Sequence, residues 1–190
     1  MERYDAFAAD VASIWQLLEQ VPDPEIPVVS IRELGILREV RVAADGSIEV
    51  VITPTYSGCP AMGQIEGDVK ATLRSAGLQG KVVTQLAPAW TTDWITPEAK
   101  DKLRDYGIAP PQHAAHSPVA GAQVIQFTPK SIANYLIYTS ENCSNLFQSV
   151  PCPRCCSHNT TETSHFASTA CKALYKCLDC LEPFDYFKPY

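Results

Sequence analysis

The sequence predicts an α+β fold in two parts: a small helix-covered sheet domain followed by a β-rich zinc ribbon. Two observations carry this. Between Tyr4 and Gly107 the apolar pattern alternates between helix spacing and short runs of branched residues. After Val150 the cysteines crowd together, six of the eight lying between Cys152 and Cys180. The expected boundaries are 1–109 for the α+β domain, 110–149 for a linker or insertion, and 150–190 for the ribbon.

Taken along the chain, Tyr4, Phe7, Val11, Ile14, Trp15 and Leu18 repeat at spacings of three and four, the stripe of one helix face. Pro22 and Pro24 stop that helix, and Asp23-Pro24-Glu25-Ile26-Pro27 is held extended by its prolines. Ile36 to Val42 and Ile48 to Ile52 flank Asp45-Gly46, a tight-turn pair, so a hairpin is expected. Pro60 suits the first turn of a second helix. Met62, Ile65, Val69 and Leu73 form its buried stripe, and Gly77 supplies the exit. A strand follows at Lys81 to Leu86. Thr96-Pro97-Glu98 has the order cap, first-turn proline, first-turn acid, which starts a short helix that Gly107 closes. Trp90 and Trp94, in the loop before it, are expected to pack rather than to bind.

From Ile108 onward the pattern breaks. Pro110-Pro111, His113, His116 and Pro118 read as a linker, and the apolar run Ile132 to Tyr138 fits a strand or a helical turn equally. Cys143 has no sequence neighbour to pair with.

Composition narrows the function. The formal net charge is −6 and the pI about 5.2, so phosphate backbones are repelled and nucleic acid is a poor partner. No apolar run reaches the length of a membrane span. The N-terminal residues lack a basic flank with an apolar core, so a cytoplasmic protein is expected. In a reducing compartment clustered thiols are more often metal ligands or reactive groups than disulfides. There is no P-loop, no Gly-x-Gly-x-x-Gly and no Gly-x-Ser-x-Gly. Glu162-Thr163-Ser164-His165 is a single Glu-x-x-His string, where a di-iron site needs two copies and further carboxylates. No catalytic constellation is visible, and a non-catalytic protein is expected.

The metal signal is the strongest. Cys152-Pro153-Arg154-Cys155 and Cys177-Leu178-Asp179-Cys180 are two Cys-x-x-Cys pairs separated by enough chain for a hairpin. Two such turns face each other in a closed four-sulfur site, for which zinc is the first choice and iron shares the geometry. So small a module has too little core to fold alone, so the ion would supply folding free energy. Cys156 and Cys171 are extra thiols, read either as buried small hydrophobes or as partners in a ligand exchange. Cys59 stands before the second helix, where amides and the helix dipole favour a thiolate, so it is a candidate nucleophile or soft-metal ligand beside an inert buried alternative. Asp23 and Glu25 in the proline loop are candidates to line the same cleft.

Several strings carry a resemblance. DPEIPVVSIRELGILREV, TPTYSGCPAM, APAWTTDWITPEAK, STACKALYKC and EPFDYFK resemble the PaaD family of the bacterial phenylacetyl-CoA epoxidase (phenylacetic acid degradation) system, over Val11 to about Pro111 and Val150 to Lys188. The first part is also similar to the small α+β domains of iron–sulfur maturation factors. The resemblance implies a cytoplasmic accessory protein of phenylacetate (aromatic compound) catabolism, which assists assembly of iron or an iron–sulfur cluster in the oxygenase or reductase subunit. It implies Cys59, with Asp23 and Glu25, as the site of metal or cluster transfer, Cys152, Cys155, Cys177 and Cys180 as zinc-ribbon ligands, and Cys171 as an additional family thiol. Two rival readings stay open: a structural component of that complex, and a rubredoxin-like redox partner. The sequence also leaves open whether Cys59 would bind metal alone or across a homodimer. The stretch from about His113 to Ser149 and the thiol at Cys156 depart from the family pattern.

Overall fold

In the computed structural model, residues 11–42, 47–112 and 149–190 are described. The predicted positions Tyr4, Phe7, Asp45-Gly46, His113, His116, Ile132 to Tyr138 and Cys143 fall outside them.

The first unit follows from its apolar stripes. Helix α1 (Val11–Leu18) buries Ile14 and Leu18. Strands β1 (Leu37–Val42) and β2 (Ile48–Ile52) pair antiparallel, as the branched runs predict. Helix α2 (Met62–Ser75) buries Ile65, Val69 and Leu73, one side chain per turn of a single face. Gly77 ends it at φ 72°, its amide donating to the Arg74 carbonyl at 2.9 Å. Strand β3 (Gly80–Thr84) then lies parallel beside β2, giving the order β1-β2-β3. The α1 and α2 helices pack on each other, α1 against β1 and α2 against β3.

Helix α3 (Pro97–Tyr106) has the ends its sequence predicts. The Thr96 hydroxyl accepts from the Ala99 amide at 3.1 Å, and Gly107 turns the chain at φ 96°. Gly107 answers a second need. An added Cβ there would lie 2.9 Å from a guanidinium nitrogen of Arg154, which reaches over from the first cysteine pair.

The second sheet has four strands in the order β4-β7-β6-β5. They are β4 (Ile108–Ala109), β5 (Thr160–Ser164), β6 (Lys172–Cys177) and β7 (Pro183–Phe187). Strand β6 pairs antiparallel with both β5 and β7. The sequence offers Ile108 and Ala109 as the tail of the first unit. Instead they pair parallel with Asp185 and Tyr186, so the first unit lends an edge strand to the ribbon.

The exchange runs both ways. Phe187 and Cys171 join the core of the first unit, among residues such as Ile65, Leu73 and Leu103. Trp90 is buried between the two parts. Its ring centroid lies 6.0 Å from that of Phe187 and 6.3 Å from that of Tyr190, and its Nε1–H donates to the Leu34 carbonyl at 2.9 Å. Trp94 also packs, under the Arg38 guanidinium at 3.4 Å.

Candidate metal centre and thiol site

Two thiol groupings are on the structure, and they are built differently. The first is the ribbon clamp. The Sγ atoms of Cys152, Cys155, Cys177 and Cys180 all lie within 4.8 Å of one another, and no other such set of three or more potential ligands exists among the described residues. Cys152 Sγ is 3.7 Å from Cys180 Sγ, and Cys155 Sγ is 3.6 Å from Cys177 Sγ. A tetrahedral ion about 2.3 Å from four thiolates holds neighbouring sulfurs about 3.8 Å apart, so this donor set fits zinc closely.

Each half of the clamp is a turn held by its own backbone. The Cys156 amide donates to the Cys152 carbonyl at 2.9 Å, and the Cys177 amide to the Glu182 carbonyl at 3.0 Å. The Cys180 amide points at Cys177 Sγ at 3.5 Å. That bond and its neighbours bring the Cys177 thiol down to about 7, the direction a metal ligand needs. Cys155 receives a bond from the Ser157 amide, yet desolvation and its three thiol neighbours push it up to about 12. Four thiols in contact cannot all ionise without a cation among them. Both turns end on a left-handed residue, Cys156 at φ 62° and Leu181 at φ 67°. Cys156 is therefore an exposed turn residue just outside the four-sulfur set. The turns are stitched across the ion site by Asn159 Nδ2–H to Asp179 Oδ1 at 2.7 Å, and by Ser157 with the other oxygen of that carboxylate.

The second grouping gathers around Cys59. The proline loop is shaped by Asp23, whose Oδ1 accepts from the amides of Glu25 at 2.9 Å and Ile26 at 2.8 Å. Asp23 is only 6% exposed, and burial raises its pKa against the pull of those two bonds. Glu25 is half-buried and also raised, by desolvation and then by the neighbouring Asp23. The Thr169 side chain of the ribbon pulls that carboxyl the other way, and its hydroxyl lies 3.0 Å from Cys171 Sγ.

Cys59 sits in the turn ahead of α2, two residues before Ala61 caps the helix. The Ala61 amide and the Thr55 side chain bond to its sulfur, as a helix-start thiol should be bonded. Burial outweighs them, and Glu25 and Asp23 add to it, so the thiol is raised rather than lowered. Of the two states the sequence leaves open for Cys59, tertiary packing favours the protonated thiol over the thiolate. Cys171, 5% exposed, is raised for the same reason, and the charges of Glu25 and Cys59 both act on it. Lys172 is the one cation among the groups acting on this cluster, and it is shared with Asp185 at 3.2 Å.

Cys59, Asp23, Glu25 and Cys171 act on one another electrostatically, and none of them belongs to the four-sulfur set. Thr169, Thr55, Tyr56 and Lys172 belong to the same surroundings and carry no motif that would mark them in the sequence.

Comparison with known proteins adds a family to this geometry. Residues 138–188 match the PaaD zinc beta ribbon domain, and residues 12–85 match an iron-sulfur cluster assembly protein family. Over 180 residues the chain is 45% identical to an Escherichia coli (strain K12) protein described provisionally as the D component of 1,2-phenylacetyl-CoA epoxidase; the match covers 94% of this chain and 92% of that one. The chain belongs to the PaaD family of phenylacetyl-CoA epoxidase components. The first half of this PaaD chain is 39% identical, over 92 residues, to an Fe-S protein maturation auxiliary factor of Porphyromonas gingivalis, covering 47% of this chain and 87% of the relative. A crystal structure of a domain of unknown function from Bacillus anthracis matches 49% of the PaaD chain and 90% of its own, at 30% identity and a TM-score of 0.46.

No helix among the described residues of this PaaD family member is long and apolar enough to cross a membrane.

Proposed function

We propose that this protein is a non-catalytic maturation factor that delivers iron or an iron–sulfur unit to a phenylacetyl-CoA epoxidase. The observation that carries this reading is the setting of Cys59. A half-buried thiol, bonded by the Ala61 amide and the Thr55 side chain, feels the charges of Glu25 and Asp23 in a rigid proline loop. Sulfur and carboxylate together suit iron, and a raised thiol holds its metal reversibly because protons compete for it. A site built to keep an ion uses the opposite design, four sulfurs closed on all sides.

In this reading the ribbon holds resident zinc, which supplies folding free energy and no chemistry. Its exposed strand β5 offers the client, the oxygenase or the reductase, a polar edge to dock on. The names of the relatives support the accessory role: one is called a component of the epoxidase and another an auxiliary factor for Fe-S proteins.

The test is cofactor loading in cells. Cys59→Ser should leave the fold and the zinc content unchanged, and should yield oxygenase and reductase poor in iron by metal analysis. Fully loaded enzyme from cells carrying only that variant would sink the reading. A second reading rests on the clamp itself, because iron fits four sulfurs as well as zinc does. It makes the ribbon a rubredoxin-like electron carrier. Colour separates the two: a red protein when purified without oxygen favours electron transfer, and a colourless one carrying zinc favours maturation.

A further inference from the structure

We propose that the ribbon face around Lys188 is a binding site for a small aromatic carboxylate. The site is separate from the zinc clamp and does not depend on the role of Cys59.

The strand register builds the cavity. Ala173 lies opposite Tyr186, and Glu162 opposite Tyr175. Side chains alternate along a strand, so these residues share one face of β5, β6 and β7. The Lys188 amide donates to the Cys171 carbonyl at 3.0 Å, which carries the ladder one residue past β7 and sets Lys188 on the face of Tyr186. Ala173 is the small member of that face. It lines a cavity of about 290 Å³ together with the rings of Tyr175, Tyr186 and Tyr190, with His165 and with Lys188. The walls are held in place. The Tyr175 and Tyr186 rings meet edge to face with centroids 5.4 Å apart, and the Tyr190 hydroxyl donates to the Ala170 carbonyl at 3.1 Å. The volume is at the small end of ligand sites, room for one ring with a short acid arm.

Lys188 decides the ligand's charge. It is only 8% exposed. Its Nζ donates to the His165 carbonyl at 3.2 Å and lies 4.4 Å from the centroid of the Phe166 ring. Among the described residues no carboxylate pairs with it. An ammonium has three donors, and a buried one is costly until an anion meets it. Lys172, just as buried, shows the ordinary solution, with Asp185 at 3.2 Å. The acid that shares the cavity, Glu162, is already committed. Its Oε2 accepts from the Tyr175 hydroxyl at 3.1 Å, and its Oε1 lies 3.2 Å from His165 Nδ1. The ammonium is thereby left for an anion from outside, and three tyrosine rings offer edge and face contacts to an aromatic body attached to it.

The experiment titrates full-length, reduced, zinc-loaded protein with three probes: phenylacetate, its uncharged counterpart phenylacetamide, and ring-free acetate. Calorimetry reads affinity, and NMR of ring-labelled tyrosine reads the place. Phenylacetate should bind one to one and at least about tenfold more tightly than either of the others, since a hydrogen bond to a charged group carries that much. It should also shift the ring signals of Tyr175, Tyr186 and Tyr190. Equal affinity for the amide or for acetate overturns the proposal. So does binding that moves none of those rings, or no binding at all, and none of these readings needs a variant. Lys188→Met keeps the apolar stem and removes the charge, and should lower phenylacetate affinity by at least about tenfold with the zinc content unchanged. Undiminished affinity in that variant overturns the proposal. Lys176→Met, on the opposite face of β6, should bind as the wild type does. An equal loss there would mean that the probe senses only net charge, and the proposal fails.

Discussion

The two halves of this chain solve the same stability problem by different means. The first unit has a broad apolar core running from Ile14 to Leu103, with side chains such as Leu18, Ile36, Ile52 and Ile65 fully buried. The ribbon's own core is a small cluster around Val150, Ala173, Phe184 and Tyr186, completed by the sulfurs of Cys152 and Cys177. Its strand β5 is almost wholly exposed. Where hydrocarbon is plentiful the fold stands on burial, and where it is scarce a metal stands in for it. The ribbon thus borrows twice, once from an ion and once from the first unit, through Phe187 and β4.

Removing the ion should set the two halves furthest apart. Structural zinc supplies about 10–16 kcal/mol to zinc-finger peptides at neutral pH. Chelation should therefore strip amide-exchange protection from β5, β6 and the cysteine turns while α2 and β2 stay protected. A ribbon that keeps its protection without metal would mean that burial alone suffices there. The next effect is at the seam. Phe187→Ala removes a ring that is 1% exposed and should cost about 3–5 kcal/mol. Because the ring belongs to the first core but to the last strand, calorimetry should show one transition splitting into two. A single, merely lowered transition would argue that β4 and Trp90 hold the seam without it.

Smaller effects lie inside the first unit. Asp23 has a carboxyl raised by burial. The folded state therefore holds its proton longer than the unfolded chain does, so this group's contribution to stability is greatest at low pH and declines as pH climbs through the raised value. Asp23→Asn keeps an oxygen for the two amides and removes that decline. The variant should match wild type near pH 3 and exceed it at pH 7, by denaturant titration. An unchanged difference across that range would mean the carboxyl is not the source. Least of all, Thr96→Ala deletes the α3 cap and should cost about 1 kcal/mol, read as a modest fall in melting temperature.

What could be read in advance divides along local and distant lines. The caps of α3, the exit of α2 at Gly77 and the two cysteine turns were legible because each depends on residues a few positions apart. The pairing of β4 with β7 was not. Ile108 and Ala109 have no periodicity of their own, and their partners Asp185 and Tyr186 lie at the far end of the sequence. Cys59 shows the same limit in its chemistry. Its local surroundings, Ala61 and the helix start, favour a thiolate; the sequence offers Asp23 and Glu25 as neighbours, but only the fold shows the burial that, with their charges, raises the thiol. Cys171 stood out as an extra thiol, but nothing in its neighbours tells which side of the ribbon it faces.

Strand β6 starts at Lys172, beside Cys171, and ends at Cys177 in the clamp, so one short rod joins the two thiol sites. A ribosome completes that rod, and then Phe187, long after the first unit has emerged. Until the ribbon has closed, Cys171 and Phe187 cannot take their places in the first unit's core. On the maturation role proposed above, the order of events is written into the chain: a newborn molecule is metallated before it handles metal for another.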